Sequence, residues 1–137
     1  MKKITVAVCL DDEGGMMFNK RRQSRDRVLI RDFISSAVGK IHIHPYSEKQ
    51  FLDFENVTAS IDPISAANDG EYVFIENLPI KDRLNEIERI IIYKWNRLYP
   101  ADTYFDVDPE ACGFKLKSLS EFEGSSHEKI TKGIYEK

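Results

Sequence analysis

The sequence predicts an α/β chain: a mostly parallel central sheet, helices on both of its faces, and an antiparallel strand pair at the C-terminal end, which together make a three-layer sandwich. Three observations predict it. Residues 4–10, ITVAVCL, form a continuous apolar run rich in β-branched side chains, the pattern of a strand buried on both faces as in parallel sheets. Strand-like runs then alternate with helix-spaced segments through the first two thirds of the chain, as in βαβ units. The late segments GFKLKSLSEF and EKITKGIYEK alternate apolar and polar residues around the turn EGSS, so each has one dry and one wet face.

The elements follow in order. DDEGG ends the first strand, and a long loop runs on through Gln23. Ser24 is the expected N-cap of the first helix, with Asp26 in its first turn where a carboxylate favours the dipole. Leu29, Ile30, Phe33, Ile34, Ala37 and Val38 repeat at helical spacing, and Gly39 stops the helix. KIHIH is a short strand broken by Pro45, and one or two helical turns begin at Ser47. VTASID is a weak strand, Asn68-Asp69-Gly70 a turn, and EYVFIEN a strong strand. Pro79 opens a helix with Ile80, Leu84 and Ile87 on one face. RIIIYKWN is the strongest strand in the chain.

Composition narrows the functional classes. The 137 residues are 42% hydrophobic and 31% charged, enough to bury a core as one domain over residues 1–137. The formal charge of −3 argues against a general nucleic-acid binder, which needs excess Lys and Arg on its binding face. The two cysteines, Cys9 and Cys112, have no metal or thioredoxin-like spacing and read as reduced thiols of a cytoplasmic protein. The apolar run 4–10 is too short for a signal peptide or a membrane span.

Charge concentrates locally. Within residues 20–31, Lys20, Arg21, Arg22, Arg25, Arg27 and Arg31 face only Asp26. Three readings stand for this loop and its leading Asn19: a solvated loop, a site for a phosphorylated small molecule or nucleotide beside a helix N-terminus, and a nucleic-acid patch. Phe18 is its only aromatic neighbour, a poor stacking platform for the last of these. Trp95, Asn96 and Arg97 end a strand, where α/β sheets place ligands. His42 and His44 share a strand face, but Tyr46 and Ser47 stand where further metallo-hydrolase ligands would be, so no metal site is expected. Ser125, His127 and Glu128 are sequence neighbours and read as a hairpin turn, since a catalytic triad is assembled by geometry.

The C-terminal half, with Asp102-Thr103-Tyr104-Phe105, the acidic stretch from Asp106 to Glu110 and two long final strands ending Ile134-Tyr135-Glu136-Lys137, resembles the end of dihydrofolate reductase. The N-terminal half is similar: a buried first strand, a Gly15-Met16 turn, a loop, and a helix with an Asp near its start. The resemblance implies that the loop covers a nicotinamide, that Asp26 matches the carboxylate that binds the pterin, and that Thr103 matches its supporting hydroxyl. The sequence departs from the family at cofactor contacts. Glu76, Asn77 and Leu78 stand where a Gly-Gly pair lets the pyrophosphate approach. His44, Pro45, Tyr46 and Ser47 replace the Gly-Arg-x-Thr phosphate contact, and NKRRQSR replaces a Pro-Trp loop. The chain is also shorter in the middle, where adenine and the folate tail dock.

The expectation is a retained fold without classical reductase activity, with NADPH disfavoured. Its ligand is a small anionic or nucleotide-like molecule held by Asn19, Arg21, Arg22, Arg25, Asp26, Trp95, Asn96, Arg97 and Thr103. An oxidoreductase with altered NADPH use and a nucleic-acid-binding or nuclease-type protein are the alternatives. Hydride chemistry would need a bound nicotinamide, since no side chain supplies it.

Overall fold

A computed structural model describes residues 2–137. Among the described residues ten strands form: β1 Ile4–Leu10, β2 Gly15–Phe18, β3 Arg21–Arg22, β4 Ile41–Ile43, β5 Val57–Ala59, β6 Tyr72–Phe74, β7 Ile87–Lys94, β8 Thr103–Tyr104, β9 Lys115–Phe122 and β10 Ile130–Glu136. The main sheet has the order β5-β4-β6-β1-β7-β10-β9. Its first five strands are parallel, and β10 and β9 add antiparallel to β7. This is the mostly parallel sheet with an antiparallel C-terminal pair that the sequence predicts.

Side-chain alternation builds the layers. Ile4, Val6, Val8 and Leu10 of β1 enter one core with Ile64 of a short helix α2 (Pro63–Ala66) and with Ile80. Ala7 enters the other core, with Leu29, Ile30 and Phe33 of helix α1 (Arg27–Ser36) and Phe51. A strand between two cores has no wet face, hence its unbroken apolar run. Around Phe33, the rings of Phe51, Tyr72 and Phe74 pack with centroids 5.4 to 6.4 Å away.

Several boundaries differ from the sequence reading, each for a local reason. The N-cap of α1 is Asp26, whose carboxylate accepts the Val28 and Leu29 N–H groups at 3.0 and 3.2 Å. The helix stops at Ala37, before Gly39, and Val38 is exposed. The turns expected from Ser47 begin at Pro45 as a 3₁₀ helix, Pro45–Phe51, capped by His44 Nδ1. Beyond Pro79 there is only a 3₁₀ segment, Lys81–Glu86, and Ile87 already belongs to β7. The loop expected through Gln23 contains a hairpin: β2 and β3 pair, and β8 joins them in a second, three-stranded sheet. At the far edge of the main sheet β9 is exposed along almost its whole length. It is bulged at Lys117, because Ser118 lies opposite Ile134 and Leu116 opposite Tyr135.

Candidate functional site

In an open parallel sheet, ligands bind beyond the carboxyl ends of strands whose connections leave toward opposite faces. Here those strands are the neighbours β1 and β6. The chain leaving β1 reaches α1 on one face, and the chain leaving β6 reaches Ile80 on the other. The crevice between them is filled by protein. Arg22 swings in from β3, and its Nε and Nη2 donate to the two oxygens of Glu76 at 2.9 and 3.2 Å. Glu76, 8% exposed, also accepts from Ser47 Oγ at 2.6 Å and Gln50 Nε2 at 2.7 Å. The Arg22 guanidinium lies over the Tyr46 ring, and the Tyr46 hydroxyl accepts the Arg22 N–H at 2.7 Å. Burial pulls the Arg22 pKa down, but the Glu76 carboxylate outweighs it and raises it overall. The remaining cavity, between Cys9, Ser24, Glu76 and Trp95, is about 10 Å³, room for one water at most.

Asp26 is the second polar centre. Its side chain is fully buried. Besides its two capping bonds it accepts the N–H groups of Ser125 and Ser126 at 2.9 and 2.8 Å, and His127 Nδ1 lies 3.2 Å from Oδ2. Burial pushes this carboxyl up, but the Ser125 and Ser126 amides, His127 and Leu29 outweigh it and hold it well below the usual carboxylate range. His127 stacks on Trp95 at 4.5 Å, and its Nε2 meets the Tyr99 hydroxyl at 2.8 Å and Ser24 Oγ at 3.2 Å. Asp26, His127 and Ser24 thus form an acid–imidazole–hydroxyl chain. It has no room to act as a nucleophilic triad: Tyr99 is the nearer partner of Nε2, and the space beside Ser24 is only about 10 Å³. It clamps the β9–β10 connection onto the start of α1.

Two open clefts flank this centre. The larger, about 600 Å³, lies between α1, the Pro45–Phe51 helix and Ser125-Ser126. Arg25, Arg27, Arg31 and Lys49 face it, with Ile30 and Phe54 as apolar wall. None of the four cations is in an ion pair among the described residues. The carboxylates present are Asp26, already saturated, and Asp53. The second cleft, about 580 Å³, is lined by Phe18, Asn19, Arg21, Arg22, Gln23, Tyr99 and Pro100.

The residues singled out from sequence are therefore dispersed. Arg25 and Asp26 lie at the first cleft, and Asn19, Arg21 and Arg22 at the second. Trp95 is buried under His127. Asn96, at φ 57°, donates to the Lys129 carbonyl and Thr131 Oγ1, and the Arg97 guanidinium lies 5.9 Å from the Tyr99 ring centre. Thr103 sits in β8, opposite Met17, with its hydroxyl donating weakly to Asp102 at 3.4 Å. Asp26 bonds to the 125–127 segment, and Thr103 is not among its partners. Arg27 and Arg31, named in the basic run but left out of the expected ligand set, were legible, since a spacing of four puts both on one helix face. Ser125, Ser126 and His127 stood in a stretch read only as a turn. Lys49 and Phe54 carry no local signal.

No family model matches this sequence, and no curated protein matches it. The structure is similar to that of a dihydrofolate reductase from Enterococcus faecalis complexed with NADP(H) and RAB-propyl. The TM-score is 0.68 over 97% of this chain and 95% of that one, at 9% identity. The chain has the dihydrofolate reductase fold.

Proposed function

We infer that this protein binds a small anionic molecule with an apolar portion in the cleft between α1 and the Pro45–Phe51 helix, and that it does not carry out nicotinamide-dependent reduction. The observation that carries the reading is the charge around that cleft: four cations against two carboxylates, one of them saturated. Arg forks recognise phosphate and carboxylate in bidentate fashion, and Ile30 and Phe54 supply a wall for a ring or chain.

The similar structure holds NADP(H), but the residues at the β1–β6 crevice do not fit a dinucleotide. Glu76 places a carboxylate there and Arg22 fills the space, so pyrophosphate entry would meet repulsion and an intact ion pair. No step through a nicotinamide is drawn from this site.

The test is calorimetric titration with phenyl phosphate, an anion carrying an apolar ring, and with inorganic phosphate. Saturable binding of phenyl phosphate is expected, weakened about tenfold or more by Arg27→Ala or Arg31→Ala as charge-assisted contacts are lost. Binding indifferent to both substitutions, or no binding, would refute the assignment.

A further inference from the structure

We propose that the cleft between the β2–β3 hairpin and Tyr99-Pro100 is a separate binding site for a nucleobase carrying a phosphate, with Phe18 as the stacking surface and Arg21 as the phosphate contact. It shares no lining residue with the cleft between α1 and the Pro45–Phe51 helix, so the two assignments stand or fall independently.

Three observations meet at this cleft. First, Phe18 is 43% exposed although its strand neighbours Met16 and Met17 are buried at 6% and 4%. The core takes the methionines and leaves a phenyl ring in solvent beside arginines, and an aromatic face is a sequence-tolerant platform for a base. Second, Arg21 is exposed and in no ion pair among the described residues, unlike Arg22, which Glu76 holds. No carboxylate lines the cleft.

Third, the hairpin tip is held in a costly shape. Asn19 and Lys20 take φ of 52° and 61°, a left-handed pair that a side-chain-bearing Lys disfavours by about 1 kcal/mol or more. The tip is fixed across the second sheet: the Asn19 N–H donates to Asp102 Oδ2 at 3.1 Å, and the Asp102 N–H donates to the Met17 carbonyl at 3.0 Å. Phe18 and Arg21 therefore stand opposite each other in a fixed register. Gln23 also lines the cleft and anchors its floor. Its Nε2 donates to Asp11 Oδ2 and to the Pro100 carbonyl at 2.9 and 3.3 Å. Both partners are acceptors, which fixes the orientation of the amide. Its Oε1 is buried, closed off from solvent and without a partner, so the side chain braces the cleft floor and does not read a base.

The Tyr99 ring forms the opposite wall. Its hydroxyl is tied to His127, which holds the ring in place. The volume of about 580 Å³ is within the range of small-molecule sites.

The experiment titrates the full chain with adenosine monophosphate and, separately, with a fluorescein-labelled single-stranded adenine oligonucleotide of about ten residues, at about 50 mM and about 200 mM salt. Binding of adenosine monophosphate is expected, weakened about tenfold or more by Phe18→Ala and by Arg21→Ala, and unchanged by Arg31→Ala. The salt arm identifies the source of the nucleotide. An oligonucleotide bound far more tightly than the mononucleotide and released steeply by salt means a strand, and equal affinities mean a free nucleotide. Both mutated side chains are exposed, so unchanged thermal melts confirm folding. Failure of both probes at low salt, or affinity unaffected by Phe18→Ala and Arg21→Ala, overturns the site.

Discussion

The Asp26 carboxylate ties the N–H groups of Val28, Leu29, Ser125 and Ser126 to one buried point. Because its folded pKa lies below the ~3.9 of an unfolded aspartate, the folded chain binds fewer protons than the unfolded chain as pH falls through that region. The stabilisation is present above about pH 5 and is lost progressively below it. Asp26→Asn keeps one capping oxygen but turns an amide donor toward other donors. It is expected to cost about 2 kcal/mol at neutral pH and to flatten the acid limb, as urea melts between about pH 2 and pH 7 would read. A slope equal to the wild type would remove Asp26 as the acid-sensitive group. At the crevice, Arg22→Ala leaves Glu76 with Ser47 and Gln50 but without its cation. A loss of about 2 kcal/mol is expected, less than for a fully buried pair because Arg22 retains some solvent contact.

The β9–β10 connection must pass very close to α1. A Cβ added at Gly124 would collide with the Asp26 carboxylate and lie 2.8 Å from Ile130 Cδ1. Gly124→Ala is expected to destabilise the chain by about 2–3 kcal/mol, visible in chemical denaturation, whereas Gly113→Ala meets no atom and pays only for its φ of 92°. That closeness was invisible in the sequence. EGSS read correctly as a turn, but nothing local says that it folds back on a residue about a hundred positions earlier. Elements with strong period were legible: β1 and β7 from their apolar runs, and α1 from Leu29, Ile30 and Phe33. The misread boundaries lie where short polar side chains compete for caps, as Asp26 did with Ser24, or where an i to i+3 turn replaces an α-helix after Pro79. The β2–β3 hairpin was missed because its tip is Asn19-Lys20, and a lysine there hides the left-handed pair that Asn-Gly would announce.

For the molecule as a whole, the proposed function has the Arg22–Glu76 pair at the β1–β6 crevice keep a dinucleotide out. Titration with NADPH, followed by its fluorescence, is expected to show no saturable binding up to millimolar concentration. Saturation in the micromolar range would mean that the Arg22–Glu76 plug opens and would restore the oxidoreductase reading. The cationic residues 20–31 serve three different ends in space. Arg22 plugs the crevice and also borders the second cleft, Arg25, Arg27 and Arg31 line the first cleft, and Arg21 lines the second, which one-dimensional charge density does not reveal. The outer sheet edge has its own consequence. Along β9 a row of amides and carbonyls is free to recruit a strand from a neighbouring molecule, with Leu116 and Leu119 beside it. Two lysines and the distortion at Lys117 act there as gatekeepers against self-templated aggregation. Lys117→Val should shorten the time a concentrated solution stays clear, which light scattering would record, so the colloidal lifetime of this protein rests on one strand far from either cleft.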